Sequence, residues 1–319
     1  MKILVLRQLV ISIISITFLL LSVPALASES EKSAIQWFEN GNSYLIAKEY
    51  DNAISAFTEE IKINPQYAMA YNNRGIAYSK KLENSKSIDD FTKAIELNPN
   101  FAEAYVNRGD AYAFYSGFYK GLAKPLNVNT LPPQYIQAST NELNDYNKAI
   151  ELAPQYTLAY NKRGQYYYHR ENFDQAISDF NKVIELAPDN EMAFYYRGRA
   201  FAGKLQNEVA LRDYTKAITI NPNNTSFYNS RGLTYIHLSK YQEAITDFQK
   251  SIELNPKQDP LVYFNLAQSF EIANINSEAL KYYQVSFDKM SSYTRSYAKN
   301  RAKAQSRLEN DWQSYKEWL

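Results

Sequence analysis

Residues 157–190 read TLAYNKRGQYYYHRENFDQAISDFNKVIELAPDN, and this stretch decides the fold. Apolar and small side chains recur at intervals of three and four, which is the helical period, first around Tyr160 and then around Phe180. Pro188 ends the second run, and Gly164 allows two helices to approach closely because it has no Cβ. The stretch therefore predicts two amphipathic helices joined by a short turn. A single pair of this kind cannot bury both of its faces, so it requires similar neighbours.

Prolines mark the same repeat along most of the chain. Six of them close successive segments at spacings of 34, 55, 34, 34 and 34 residues, and the long interval contains an insertion of 21 residues. Each segment opens with an aromatic residue, a glycine four positions later and a second aromatic three positions further on, as in Trp37, Gly41 and Tyr44. A looser seventh segment opens at Tyr263. The predicted units lie near residues 34–67, 68–101, 102–156, 157–190, 191–224, 225–258 and 260–289.

This pattern resembles the tetratricopeptide repeat, in which an aromatic, a glycine, a tyrosine, a later Ala and Phe, and a proline recur over 34 residues. Six units match well and the seventh matches more loosely, and together they cover most of residues 28–289. The resemblance implies an all-α, right-handed superhelical solenoid of about seven helix-turn-helix repeats. It also implies a C-terminal capping helix at residues 290–319, because the last unit of a solenoid otherwise exposes its stacking face. For function, the resemblance implies binding of another molecule and no more than that.

Residues 1–27 predict a secretory signal peptide. Lys2 and Arg7 precede an apolar run over residues 9–23, and Ala25-Leu26-Ala27 matches the small-x-small cleavage pattern. The apolar run is short for a membrane-spanning helix, which needs about 20 residues. Cleavage after Ala27 would make the protein an exported one, periplasmic or secreted. An uncleaved membrane anchor is the alternative.

The composition of residues 28–319 excludes several classes of function. These residues contain 33 basic and 34 acidic side chains, whereas a nucleic-acid-binding protein usually shows a basic excess. The absence of cysteine excludes disulfides, thiolate metal sites and cysteine catalysis. The two histidines, His169 and His237, lie two units apart, a separation of about 20 Å that prevents them from sharing a metal ion. We therefore expect no catalytic residue, no cofactor and no metal site, and the protein is predicted not to be an enzyme.

Arginine and aspartate occur together in five of the units. Units two to six have Arg directly before the repeat glycine and Asp directly before the second-helix aromatic, while units one and seven have neither. This co-occurrence predicts an ion pair between the two helices or across to the next unit, with an architectural function. The pairs are Arg74 with Asp90, Arg108 with Asp145, Arg163 with Asp179, Arg197 with Asp213, and Arg231 with Asp247.

The resemblance also implies that first helices line a concave groove that binds a protein or peptide. Positions one, five and nine after the opening aromatic lie one helical turn apart and form a single stripe. An amide at the first position offers a donor and an acceptor to an extended chain, although a hydrated wall without a ligand is the alternative. A clamp for a C-terminal carboxylate is not expected, because it needs several basic residues facing one point. The predicted groove residues are Asn72, Ile76, Lys80, Asp110, Asn161, Gln165, His169, Tyr195, Arg199, Asn229, Leu233, His237, Phe264 and Gln268.

The insertion in unit three, at about residues 116–138, is rich in Gly and Pro and predicts a loop at the turn end of the repeat. Pro132-Pro133 is suited to begin an elongated second helix. Either a tolerated surface insertion or a specificity loop is consistent with the sequence. The anchors of such a loop would be Phe118, Tyr119, Leu122 and Leu126.

The sequence as a whole predicts a non-enzymatic interaction scaffold or assembly factor in an exported compartment. A secondary alternative is a membrane-associated accessory protein, held by an uncleaved N-terminal segment or by the run of basic residues in the predicted helix 290–319. The oligomeric state is not predicted.

Overall fold

The computed structural model describes residues 29–123, 133–257, 259–289 and 306, and these ranges contain fourteen complete α-helices and no strand. The helices are α1 Glu29–Ala47, α2 Tyr50–Ile63, α3 Ala68–Lys80, α4 Asn84–Leu97, α5 Ala102–Ala123, α6 Pro133–Leu152, α7 Thr157–His169, α8 Phe173–Leu186, α9 Glu191–Gly203, α10 Asn207–Ile220, α11 Thr225–His237, α12 Tyr241–Leu254, α13 Pro260–Ile272 and α14 Asn276–Lys289. The predicted signal peptide lies outside the described residues. The predicted capping helix does so too, apart from the helical Ser306.

The chain divides into two compact units between Pro154 and Gln155. These two units are larger than the seven predicted repeats, which are called helix pairs from here on. Unit 1 contains helices α1–α6 and unit 2 contains helices α7–α14. Inside each unit, every odd-numbered helix packs on the even-numbered helix that follows it, and that second helix packs on the first helix of the next pair. Each unit is therefore a stack of helix pairs, which confirms the all-α repeat fold predicted from the sequence.

The close approach within a pair depends on the repeat glycine. A Cβ built on Gly164 of α7 would lie 2.9 Å from Cε1 of Phe180 on α8, closer than side-chain carbons pack. The Phe180 ring is fully buried and cannot move aside at low cost. The absence of a side chain at Gly164 thus sets the distance between the two helices, as the sequence predicts.

Most first helices end in a turn whose central residue has a left-handed backbone. This residue has φ between 59° and 63° and is never a glycine: it is Lys48, Leu82, Glu171, Leu205, Ser239 or Asn274. At Leu205 the amide donates to the carbonyl oxygen of Ala202, and the amide of Gln206 donates to that of Phe201. These two bonds close the end of the helix in a Schellman motif.

The insertion lengthens both helices of its pair. Helix α5 continues to Ala123, so that Gly117 lies inside it, and α6 begins at Pro133. The predicted loop over about residues 116–138 is therefore wrong for most of its length, whereas the elongated second helix is confirmed. A glycine disfavours a helix by only about 1 kcal/mol, and contacts between α5 and α6 oppose this cost, including a hydrogen bond of 3.2 Å from Ser116 Oγ in the extended part of α5 to Glu142 Oε2 on α6.

The four anchors predicted for the loop lie outside the described side chains. Phe118, Tyr119 and Leu122 lie on the backbone of α5, where only the helix itself is described, and Leu126 lies outside the described residues. A specificity function for the insertion therefore stays a prediction.

Candidate functional site

First helices form the inner face of each stack. In unit 2, α7 contacts α9, α9 contacts α11, and α11 contacts α13, whereas the described second helices of successive pairs do not approach one another in this way. In unit 1, α1 contacts α3 and α3 contacts α5. Because successive first helices lie closer together than successive second helices, each stack curves with its first helices on the inside. The groove implied by the resemblance is on this side.

The Arg–Asp pairs lie between the helices of a pair. In all five, Nη2 of the arginine donates to Oδ1 of the aspartate over 2.6–2.8 Å and Nε donates to Oδ2 over 2.8–2.9 Å. Such two-point pairing is the strong form of the interaction. The carboxylates are buried. Burial raises the pKa of Asp90, Asp145 and Asp179, and the partner guanidinium opposes this rise by stabilising the charged form.

A third N–H group of the arginine reaches the preceding pair. Nη1 of Arg74 donates to Thr58 Oγ1 over 3.1 Å, and Nη1 of Arg197 donates to Asn181 Oδ1 over 2.7 Å. Each of these arginines therefore connects three helices. The ion pair itself lies within one helix pair, which is the first of the two predicted forms, and the contact with the preceding pair is a hydrogen bond to a neutral side chain. The function of these residues is to hold the stack together.

A chain of hydrogen-bonded asparagines connects the three first helices of unit 1. Asn107 Nδ2 on α5 donates to Asn72 Oδ1 over 2.9 Å, Asn72 Nδ2 donates to Asn73 Oδ1 over 3.1 Å, and Asn73 Nδ2 donates to Asn42 Oδ1 on α1 over 2.8 Å. Asn72 is 1% exposed. The predicted groove role of Asn72 is therefore wrong, because neighbouring helices cover its amide and other asparagines bind it.

The remaining predicted groove residues of unit 1 differ in their exposure. Lys80 is exposed and Ile76 is half-buried. Asp110 is also half-buried and accepts a hydrogen bond of 2.8 Å from the hydroxyl of Tyr146 on α6. Burial, reinforced by nearby carboxylates, raises the pKa of Tyr146, so the tyrosine remains a donor. Asp110 thus has a structural partner in its own pair.

Two predicted groove residues of unit 2 are buried as well. Tyr195 is 8% exposed, and its ring centroid lies 5.0 Å from that of Phe227. Phe264 is 3% exposed, with its centroid 5.5 Å from that of Tyr283. These large rings fill the space between or within pairs, so their prediction as open groove contacts is wrong.

The other predicted residues of unit 2 lie at least partly open on the inner face. Leu233 is 41% exposed, and both histidines are exposed. Gln165 Nε2 donates to Asn161 Oδ1 over 3.1 Å, while Oδ1 of Asn229 is buried and has no hydrogen-bond partner within the part of the chain that the structure describes. The residues that the structure leaves on this face are Asn161, Gln165, His169, Arg199, Asn229, Leu233, His237 and Gln268.

Arg199 differs from the five paired arginines. Its Cζ lies 4.7 Å from the ring centroid of Tyr168, 5.6 Å from that of Tyr195 and 6.0 Å from that of Tyr196. The side chain is half-buried, and it has no ion pair or hydrogen bond among the described residues. Sequence reasoning placed Arg199 on the stripe but missed Tyr168 and Tyr196. The tyrosine runs 166–168 and 195–196 were the available signal.

The described residues bear on two other classes of function. They contain no group of three or more His, Cys, Asp or Glu side chains arranged to hold a metal ion. No helix within residues 29–123, 133–257 or 259–289 combines the length and the apolar character needed to cross a membrane.

A stack of two-helix repeats with an inner face of first helices defines the chain as an α-helical repeat protein. The family profile of the tetratricopeptide repeat matches residues 68–101, 157–190 and 226–258. These three segments are therefore tetratricopeptide repeats, a type of repeat that generally mediates protein interactions without catalysing a reaction.

Solved structures of similar fold include tetratricopeptide repeat proteins. One from Parabacteroides merdae has a TM-score of 0.58 and 15% identity, over 87% of this chain and 98% of that chain. PilF of Pseudomonas aeruginosa has a TM-score of 0.60 and 13% identity, over 75% of this chain and 96% of that one. At these identities the likeness establishes the fold alone. No curated protein sequence matches the chain significantly.

Proposed function

We propose that the protein is a non-enzymatic scaffold or assembly factor that binds a protein or an extended peptide on the inner face of unit 2. The observation that carries this proposal is the set of available side chains on the first helices α7, α9 and α11. Leu233 offers an apolar contact, the exposed histidines and half-buried amides offer hydrogen bonds, and Arg199 offers a charge. The Arg–Asp pairs behind this face fix the helices, so the face is preorganised for binding.

Unit 2 is the better candidate because its inner face retains unused hydrogen-bonding capacity. In unit 1 the amide of Asn72 is bound by Asn73 and Asn107. In unit 2 the equivalent residue, Asn229, has an acceptor, Oδ1, without a hydrogen-bond partner among the described residues. A buried acceptor of this kind costs about 1–3 kcal/mol. The residue as a whole is only half-buried, so a side-chain rotation that brings Oδ1 to the inner face would let a donor from a bound backbone remove that cost.

Site-specific photocrosslinking in the native cells tests the proposed face. A photoreactive amino acid at Leu233 is expected to give one discrete adduct whose partner is identified by mass spectrometry. The matched position is Thr219, which is exposed on the second helix α10, and we expect no adduct there. The same adducts from both positions, or none from Leu233, would contradict binding at the inner face.

We also propose that the protein acts in an exported compartment, periplasmic or secreted. The support is the sequence alone: Lys2 and Arg7, the apolar run over residues 9–23, and the cleavage pattern that ends at Ala27. Cell fractionation followed by N-terminal sequencing tests this, and the mature chain is expected to begin at Ser28. A chain that begins at Met1 and stays with the membranes after a high-salt wash would instead establish the membrane-associated alternative.

A further inference from the structure

Arg199 is a charged group whose binding capacity the protein does not use. The equivalent positions in other pairs carry no positive charge: they are Asn42, Ile76, Asp110, Gln165, Leu233 and Gln268. Two residues away on the same helix, Arg197 donates to both carboxylate oxygens of Asp213. Among the described residues, Arg199 contacts aromatic rings and no carboxylate.

Aromatic rings satisfy only part of what an arginine can bind. The faces of Tyr168, Tyr195 and Tyr196 attract the positive charge of the guanidinium. They do not replace the hydration that the half-buried guanidinium loses. An arginine cannot avoid this cost by deprotonation, because it keeps its charge at any physiological pH. A planar anion that accepts two parallel hydrogen bonds would remove the cost.

We propose that Arg199 binds the carboxylate of an aspartate or glutamate side chain within an extended segment of a partner protein. This inference rests on the proposed function, because it assigns one residue of the bound segment to one position on the same face. Tyr168 and Tyr195 hold the guanidinium from α7 and α9, and the incoming acidic side chain takes the place that Asp213 takes for Arg197.

The surroundings of Arg199 favour a single carboxylate over a group with more charge. The stripe residues on the neighbouring first helices are Asn161, Gln165 and His169 on α7, and Asn229, Leu233 and His237 on α11. None of them is Lys or Arg, whereas recognition of a phosphorylated side chain relies on clusters of arginines. A C-terminal carboxylate clamp also requires several basic groups. One guanidinium matches one carboxylate.

Peptide selection on the purified full-length protein tests the assignment. A phage-displayed nonapeptide library, with fixed residues on both sides, is selected on the wild-type protein and on Arg199→Gln, Arg199→Lys and Arg212→Gln. Arg212 is the matched control, since it is exposed on the second helix α10 and its loss removes the same charge. We expect an acidic residue to be enriched at one position on the wild type and on Arg212→Gln, but not on Arg199→Gln.

The affinity of one selected peptide then measures how strongly its acidic residue depends on Arg199 for binding. Changing its acidic residue from Glu to Gln is expected to weaken binding to the wild type about tenfold, and binding to Arg199→Gln by less than twofold. Arg199→Lys keeps the charge but loses the planar fork, and we expect an intermediate affinity. Synthetic peptides with a C-terminal amide are expected to bind as well as those with a free carboxylate.

The outcomes separate this inference from the proposed function. Selected peptides without an acidic residue, or an equal effect of Glu→Gln on the wild type and on Arg199→Gln, would overturn the Arg199 assignment and leave a peptide-binding face. Dependence on the free C-terminal carboxylate alone would overturn it as well. If no peptide binds any variant, both proposals fail. Should Arg199→Gln prove unfolded by circular dichroism, Arg199→Lys and the effect of Glu→Gln on the wild type decide the question.

Discussion

Glu60 in unit 1 and Arg199 in unit 2 are both ionisable side chains without a complete set of partners among the described residues. Glu60 lies on a second helix and Arg199 lies on a first helix. Glu60 is 1% exposed on the second helix α2, and its Oε2 has no hydrogen-bond partner among the described residues. Burial raises the pKa of Glu60 to about 7. Arg199 lies on the first helix α9 at the inner face, half-buried against tyrosines.

The difference between them shows how the two charge types respond to loss of water. A buried carboxyl group can bind a proton and become neutral, so Glu60 avoids the cost of a buried charge without any partner. The guanidinium keeps its charge at any physiological pH, and only a partner can compensate for its lost hydration. A buried unpaired acid is therefore a property of the folded state alone, whereas a half-open unpaired arginine indicates a ligand.

Replacing Glu60 with glutamine is expected to give the largest effect on stability. Because the pKa of Glu60 is raised in the folded state, its contribution to stability is greatest below the unfolded pKa of about 4.5. This contribution falls as pH rises from there to about 7. Near pH 4 we expect Glu60→Gln and the wild type to have the same free energy of unfolding. At pH 8 we expect the variant to be more stable than the wild type by on the order of 2–3 kcal/mol.

Urea unfolding of both proteins between pH 4 and pH 8 measures this difference. The matched control is Glu59→Gln, because Glu59 lies partly exposed on the same helix and pairs with Lys62 at the surface, and we expect a change of about 0.5 kcal/mol or less there. A constant difference between wild type and Glu60→Gln over the whole pH range would show that Glu60 is not a titrating buried acid.

Breaking one Arg–Asp pair in each unit tests whether the two stacks are held together in the same way. Asp90→Ala in unit 1 and Asp179→Ala in unit 2 each leave a half-buried guanidinium without its carboxylate, and we expect each to lose about 1–3 kcal/mol of unfolding free energy. Replacing both members, as in Arg163→Leu with Asp179→Leu, should restore part of the loss. A large loss in one unit with none in the other would show that the pairs are not equivalent.

Arg197 and Arg199 provide the sharpest test of which charge is structural. Arg197→Gln removes the two-point contact with Asp213 and is expected to cost about 1–3 kcal/mol of unfolding free energy. Arg199→Gln removes only contacts with aromatic rings, and we expect a cost of about 1 kcal/mol or less. Thermal unfolding of the two variants compares them directly. If Arg199→Gln is the more damaging, the side chain has a structural function instead.

The sequence predicted what the repeats share and failed where an individual pair differs. The helix pairs and the Arg–Asp pairs were predictable because each appears in several units at a fixed spacing. The odd residue Glu60 was also visible in principle, since the other second helices have small or β-branched side chains at that position: Ala94, Ala149, Val183, Ala217, Ser251 and Ser286.

Failures of the sequence prediction came from packing between helices. Gly117 weighed against a helix, yet the paired extensions of α5 and α6 override its weak preference. The position after the opening aromatic was predicted to be open, but Tyr195 and Phe264 are large enough to be buried there. The missing partner of Arg199 depends on which side chains reach it in space, and no spacing along the chain encodes that.

The turns at Leu82 in unit 1 and Leu205 in unit 2 allow a final comparison, with the smallest expected effect. Both residues have a left-handed backbone, with φ of 63° and 60°, and both side chains are mostly exposed, Leu205 by 82%. A left-handed backbone costs a residue with a Cβ about 1–2 kcal/mol, whereas glycine adopts it freely but loses more entropy on folding. We expect Leu82→Gly and Leu205→Gly each to raise the free energy of unfolding by about 0.5–1 kcal/mol.

Asn274 is the matched control for these turns, because it has the same backbone conformation and asparagine tolerates it well. Asn274→Gly is therefore expected to change the free energy of unfolding by only a few tenths of a kcal/mol, as measured by urea denaturation alongside the leucine variants. Equal gains at all three positions would mean that the benefit of glycine at a left-handed residue does not depend on the leucine side chain. A gain at the two leucines alone would show that the branched side chain at a left-handed residue carries the strain, equally in both units.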